Sequence, residues 1–203
     1  CIERECGGDQ LVFARDYFDE LVAHVQRNKP TIVGHFDVLT KFSVIDEENP
    51  DYRRMALDAL EKGVHLVESD PEVESVGRGG YMNANGDLEL DAAIMDGDTM
   101  KMGCVAGVRG FEHPVSIARK VMEETIHSIL IGPGAEEFAR KMGIPEAGQD
   151  YMITEKARKA WEEKRKEVKT AVMTPYEKFE AVYKDCVSDT YKKADADLKA
   201  KID

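Results

Sequence analysis

The chain has 203 residues, 42 % of them hydrophobic and 33 % charged, a balance that supplies a core for one medium domain or two small ones. Its formal net charge of −12 disfavours a nucleic-acid partner on electrostatic grounds. No apolar run approaches the roughly 20 residues of a membrane helix, and Cys1 to Gln10 lack the apolar stretch of a signal peptide.

Leu11 to Arg27 reads as an amphipathic helix, with Leu11, Ala14, Phe18, Leu21 and Val25 on one face. Asn28-Lys29-Pro30 ends it, and Thr31-Ile32-Val33 is a short β-prone run leading into Gly34-His35-Phe36-Asp37. A polar loop from Ser43 to Pro50 precedes a second helix, Arg53 to Ser69, weakened at Gly63. Gly77, Gly79, Gly80 and Gly86 then crowd a short stretch. Leu88 to Met95 alternates as a strand, with Leu90, Ala92 and Ile94 on one side. Met102 to Val108 is a second strand, whose small residues suit close packing on another layer.

Pro114 stands at the first position of a helix running to about Glu124. His127 to Ile131 reads as a buried-type strand, with His127 a satisfied core histidine, and Gly132-Pro133-Gly134 as a loop. Ala135 to Met142 is a helix with Gly143 just past its end. From Thr154, a plausible N-cap, the pattern is helical and charged. Lys156 to Lys169 reads as a solvated face, and Thr174-Pro175 as a restart of the helix. Cys1, Cys6, Cys104 and Cys186 form no CxxC pair and lack zinc-site spacing. Reduced thiols in a cytoplasmic protein are the default reading; a Cys1–Cys6 bridge is the other.

Three pieces carry a resemblance: Ser75-Val76-Gly77-Arg78-Gly79-Gly80, Leu90 to Gly97, and Pro114 to Arg119 leading into His127 to Gly134. Their order and spacing resemble the α half of the glycosylasparaginases, a family that includes isoaspartyl peptidases and plant-type asparaginases. The resemblance covers about 56–163. It implies an α/β fold, a partial αββα N-terminal-nucleophile hydrolase layer flanked by helices. In such enzymes a precursor cuts itself, and the new N-terminal threonine attacks an asparagine-linked amide with its own α-amine as base. An oxyanion hole stabilises the intermediate. The threonine opens the β half. Here no glycine-rich β half and no processing threonine are found after Trp161. Asp98-Thr99 lies inside the α-half match, and Asp189-Thr190 leads into a charged helix, so neither threonine takes the nucleophile position.

The front, 11–62, resembles the later part of a histidinol-phosphatase-type metal hydrolase. In that resemblance His35 is one metal ligand at a strand end, without the paired histidines and closing Asp-x-His such a site needs. The chain thus reads as a composite. Residues 1–62 form a phosphatase-like segment, 63–168 the asparaginase-like α-half region, and 169–203 a charged helical tail.

These readings set the expectations. The function is that of an N4-(β-N-acetylglucosaminyl)-L-asparaginase or isoaspartyl-peptidase-like amidohydrolase fragment, inactive alone for want of the threonine half. A metal-dependent phosphoesterase remnant and a non-catalytic α/β scaffold are the alternatives. No catalytic residue is assigned and no cofactor is expected. Ser75, Gly77, Gly79 and Asp96 are candidates for a substrate-pocket wall; the glycines serve equally as a tight turn, while Asp91 and Asp96 read first as structural caps and turn contacts and second as supports of the site by hydrogen bonding. His35 is a metal ligand or an uncomplexed polar residue at a strand end, and His113 opens a helix. The expected partner is a β half, or a second copy meeting an exposed sheet face, with no nucleic acid and no membrane.

Overall fold

A computed structural model describes residues 9–28 and 49–202. His35, Asp37, the β-prone run at 31–33 and the Cys1–Cys6 pairing lie outside the described residues. The chain divides into two compact units, Cys1–Ala157 and Arg158–Asp203. The fold is mixed α/β, mostly helical, with one three-stranded sheet. Among the described residues, no helix is long and apolar enough to cross a membrane.

Helix α1 (Gln10–Asn28) starts on Asp9, whose carboxylate accepts the Leu11 and Val12 amides at 2.9 and 3.2 Å. Its apolar face buries Ala14 and Phe18 against Tyr52 and Ala59 of α2 (Pro50–Glu68). Helix α2 begins at Pro50 rather than at Arg53. Asn49 accepts the Asp51 and Tyr52 amides at 2.9 and 3.3 Å, and Pro50 has the fixed φ of a first helical residue. The pair is a start signal, not the end of a loop.

Strand β1 (Leu90–Asp96) pairs antiparallel with β2 (Lys101–Val108), and β2 pairs parallel with β3 (Ile129–Ile131). The β1 alternation matches the sequence pattern, with Leu90 and Ile94 buried and Ala92 half-buried. Between β2 and β3 runs α3 (Pro114–Glu124), the helix expected from Pro114. Val115, Ile117, Ala118, Val121 and Met122 are buried along it, and Ile94, Val105, Val108 and Phe111 complete the core. Phe111 and Ile117 are fully enclosed, each contributing about 1.5–3 kcal/mol by burial.

The layers meet at Gly103 of β2. A Cβ there would lie 2.0 Å from the Ala118 carbonyl oxygen and 2.6 Å from the Met122 amide. Nothing larger than glycine lets strand and helix approach this closely.

Helix α4 (Gly132–Lys141) closes the core with Ala135 and Ala139. It starts at Gly132, where a loop was expected, because Pro133 sits in its first turn. Gly143 has φ +75° past its end, and the Ile144 amide reaches back to the Ala139 carbonyl at 3.0 Å. The expected buried strand at His127 to Ile131 is corrected: β3 covers only Ile129–Ile131, and Ile129, Ile131 and His127 are exposed. An apolar run suggests cover on both faces, and α3 covers one. The short α5 (Gln149–Met152) places Met152 against Leu88 and Leu90.

Thr154 is the N-cap expected for α6 (Glu155–Tyr183), accepting the Ala157 amide at 3.2 Å. The second unit is helical and has no buried residue in α6 or in the π-helical turn Lys184–Ser188 that precedes α7 (Asp189–Ile202). The expected restart at Thr174-Pro175 is also corrected: α6 continues through Pro175. The Thr170 and Thr174 hydroxyls donate back to the Lys166 and Thr170 carbonyls at 2.9 and 2.7 Å, bonding within the turns that lead into the proline.

Candidate functional site

The glycine-rich stretch folds as a tight loop on the end of α2. The Glu68 carbonyl accepts the Arg78 amide at 2.7 Å, and Gly80 N–H returns to the Gly77 carbonyl at 3.2 Å. Gly77 has φ +59°, and a Cβ on it would fall 2.0 Å from the Glu68 carbonyl oxygen. Only glycine meets both demands.

This loop forms one wall of a cavity of about 580 Å³. Leu21, Val22 and Val25 of α1 face it, with Val64 and Val67 of α2 and Ala92 of β1. Of the four wall candidates, Ser75 and Gly77 border the cavity. Gly79 turns away, donating its amide to the Met152 carbonyl at 2.8 Å and packing near Thr154. Asp96 ends β1 and caps the β1–β2 turn, where it accepts the Asp98 amide at 3.1 Å and the Thr99 hydroxyl at 2.7 Å. Burial pulls its carboxyl upward, but these hydrogen bonds outweigh that effect and hold it below the usual range.

Asp91 also borders the cavity. Its carboxylate accepts the Gly107 amide at 2.8 Å, close to the register shift between Leu90 and Ala92. The two threonines excluded as nucleophiles are both engaged: Thr99 on Asp96, and Thr190 on the Asp185 carbonyl at 3.2 Å.

On the other side of α2 lies a polar network that sequence reading does not assemble. Arg119 is largely buried and holds three carboxylates, Asp58 and Glu61 at 2.6 Å and Glu123 at 2.7 Å. Ser116 donates its hydroxyl to Glu61, which leaves its oxygen to accept from His65 Nε2 at 2.7 Å. His65, whose Nε2 lies 3.6 Å from Glu61 Oε1, is the largest influence on the Glu61 carboxyl. Burial opposes it, Ser116 and Arg119 reinforce it, and the result is a pKa lowered to about 2. His65 stacks on His113, ring centres 3.9 Å apart, and His113 Nδ1 stands 3.1 Å from Glu68 Oε2. His113 therefore does more than open α3.

The signal for part of this network was present. Glu61, His65 and Glu68 recur at helical spacing along one face of α2. Their partners on α3 are far away in sequence, and no periodicity predicts that pairing.

Comparison with known proteins places the chain. The family model for asparaginases matches residues 51–194, and the chain belongs to that family of hydrolases. It is similar to the plant-type L-asparaginase of Pyrococcus furiosus, 49 % identical over 113 residues, covering 56 % of this chain and 36 % of that protein. It is also similar to the isoaspartyl peptidase/L-asparaginase of Mus musculus, 46 % identical over 112 residues, covering 55 % and 34 %. The plant-type L-asparaginase of Pyrococcus abyssi is 40 % identical over 130 residues, covering 64 % and 41 %. The chain thus spans between 34 % and 41 % of the length of these relatives. The family match begins at residue 51 and leaves most of the segment 11–62 outside it.

Proposed function

We propose that this chain supplies the part of an asparaginase-type amidohydrolase that precedes the threonine nucleophile. Turnover then requires a β half of the kind that carries that threonine. The candidate substrates are those of the wider family: L-asparagine, isoaspartyl peptides and N4-(β-N-acetylglucosaminyl)-L-asparagine. Ser75 and Gly77 serve as wall residues, and the amide is attacked by a threonine whose own α-amine acts as base.

The observation that carries this reading is the second face of the sheet. Register pairs Met95 with Met102, Ala93 with Cys104, Cys104 with Ile129 and Ala106 with Ile131. Paired residues share a face, and this one is opposite the face that Gly103 presses on α3. These paired residues are apolar, with Asp91 at the edge of the face, yet Met95, Met102, Ile129 and Ile131 are all exposed. A sheet apolar on both sides is made to be covered on both. A second sheet from a β half would produce the αββα layering; a second copy of the chain is the other way to cover it. The phosphoesterase reading has no comparable support.

The test assays the full chain for ammonia or amine release from the three substrate classes, alone and mixed with a β half from a similar asparaginase. Turnover by the mixture and none by the chain alone is expected. No turnover by the mixture, with the two proteins shown to associate, overturns the proposal.

A further inference from the structure

Among the described residues, one cluster brings together three side chains of metal-ligating type. His65, Glu68 and His113 each place a ligand atom within 4.8 Å of the others. His65 and Glu68 come from successive turns at the end of α2, and His113 from the residue that opens α3.

The cluster is held from outside. The Glu68 side chain is only 5 % exposed, and its Oε1 accepts the Val115 amide at 3.1 Å, which orients Oε2 towards His113. Among the described residues, the only ion-pair partner of this buried carboxylate is His113. His65 Nε2 is engaged by Ser116, which in turn is bound to Glu61, and Glu61 to Arg119. A carboxylate behind a histidine, fixing its tautomer and ring orientation, is the outer shell that metal-bound histidines normally have. The imidazoles stack with ring centres 3.9 Å apart, and a shared dication would compensate the buried carboxylate and use one lone pair of each ring.

The two histidines also line a cavity of about 610 Å³, bordered by Glu112, Ser116, Glu146 and Tyr151. A cation on the cluster would keep a coordination position open to that space. Two imidazoles and one carboxylate suit a borderline divalent ion, and three protein ligands with one open position is a familiar zinc arrangement.

We propose that His65, Glu68 and His113 bind one divalent cation of the zinc class. The metal takes the place of the hydrogen between His113 Nδ1 and Glu68 Oε2; the ring proton then sits on Nε2, so the imidazole ligates in its neutral form. Glu68 also borders the Ser75–Gly77 cavity, but the ligand set itself does not depend on the amidohydrolase reading.

The test titrates the full chain with Co²⁺, followed by its visible absorption, and then displaces it with Zn²⁺. One equivalent with a cobalt band is expected. H65Q and H113N should each weaken binding by at least the roughly 10–100-fold that even an outer-shell change costs. No band, or an affinity that both variants leave unchanged, overturns the proposal; the latter result would mean that the metal binds elsewhere on the chain. A second readout needs no variant: the imidazole nitrogen resonances of His65 and His113 should shift on adding one equivalent of Zn²⁺. Unmoved resonances also overturn it.

Discussion

Alanine at Gly103 is expected to lower the stability of the chain more than any other single methyl group added to the sheet. The added Cβ would sit 2.0 Å from the Ala118 oxygen and 2.8 Å from the Met122 Cβ. Both neighbours belong to α3, and the closest atom is backbone, so no side-chain rotation relieves the clash. Strand β2 and helix α3 must separate, opening the core around Val105, Ile117 and Val121. Overpacking of this kind typically costs about 1–3 kcal/mol, and a backbone obstacle belongs at the upper end. That is a large share of the roughly 5–15 kcal/mol that keeps a domain folded. Urea denaturation of Gly103→Ala beside Gly97→Ala measures the effect. Gly97 sits in the β1–β2 turn with nothing within 4 Å of its added Cβ, and its replacement should fall within about 0.5 kcal/mol of the parent. Equal stabilities for the two variants would mean that β2 and α3 are not in this contact.

Removing the cation at the centre of the α2–α3 network should be nearly as costly. Arg119→Met leaves Asp58, Glu61 and Glu123 converging on an apolar side chain. Breaking a buried ion pair from one side costs about 3–5 kcal/mol. Here Asp58 and Glu123 are partly exposed, and solvent screening reduces the expected loss to about 2–3 kcal/mol. The acid limb should change as well. In the folded chain Glu61 titrates at about 2, against 4.5 ordinarily. Between those values the unfolded chain takes up a proton that the folded one does not. Glu61 therefore supports the fold fully above pH 4.5 and loses that contribution as pH falls towards 2. Thermal unfolding of Glu61→Gln in a chelating buffer should show a flatter dependence on pH over this window than the parent. A parallel acid limb would mean that the carboxylate is not held as described.

These contacts also separate what sequence reveals from what it conceals. Helix α3 was legible because its signals are local: a proline at the first position and a run of apolar residues at helical spacing. Gly143 was legible for the same reason, since a helix end needs a left-handed residue wherever the chain goes next. Strand β3 was misread because an apolar run reports what a strand can bury, not whether anything arrives to bury it. Pro175 was misread because the proline penalty was taken as decisive, yet α6 continues through it. Within the candidate site, Ser75 and Gly77 follow from a loop whose glycines are dictated locally. The His65–Glu68–His113 cluster depends on where α3 docks on α2, a tertiary fact with no periodic trace.

Glu68 is where these parts join. Its carbonyl holds the Arg78 amide and its carboxylate the Val115 amide, so the glycine loop and the start of α3 hang from the last residue of α2. In hydrogen-exchange terms, the amides of Arg78 and Val115 belong to one opening unit despite their separation in sequence. Fraying of the last turn of α2 exposes both together, and whatever steadies that turn slows exchange at both.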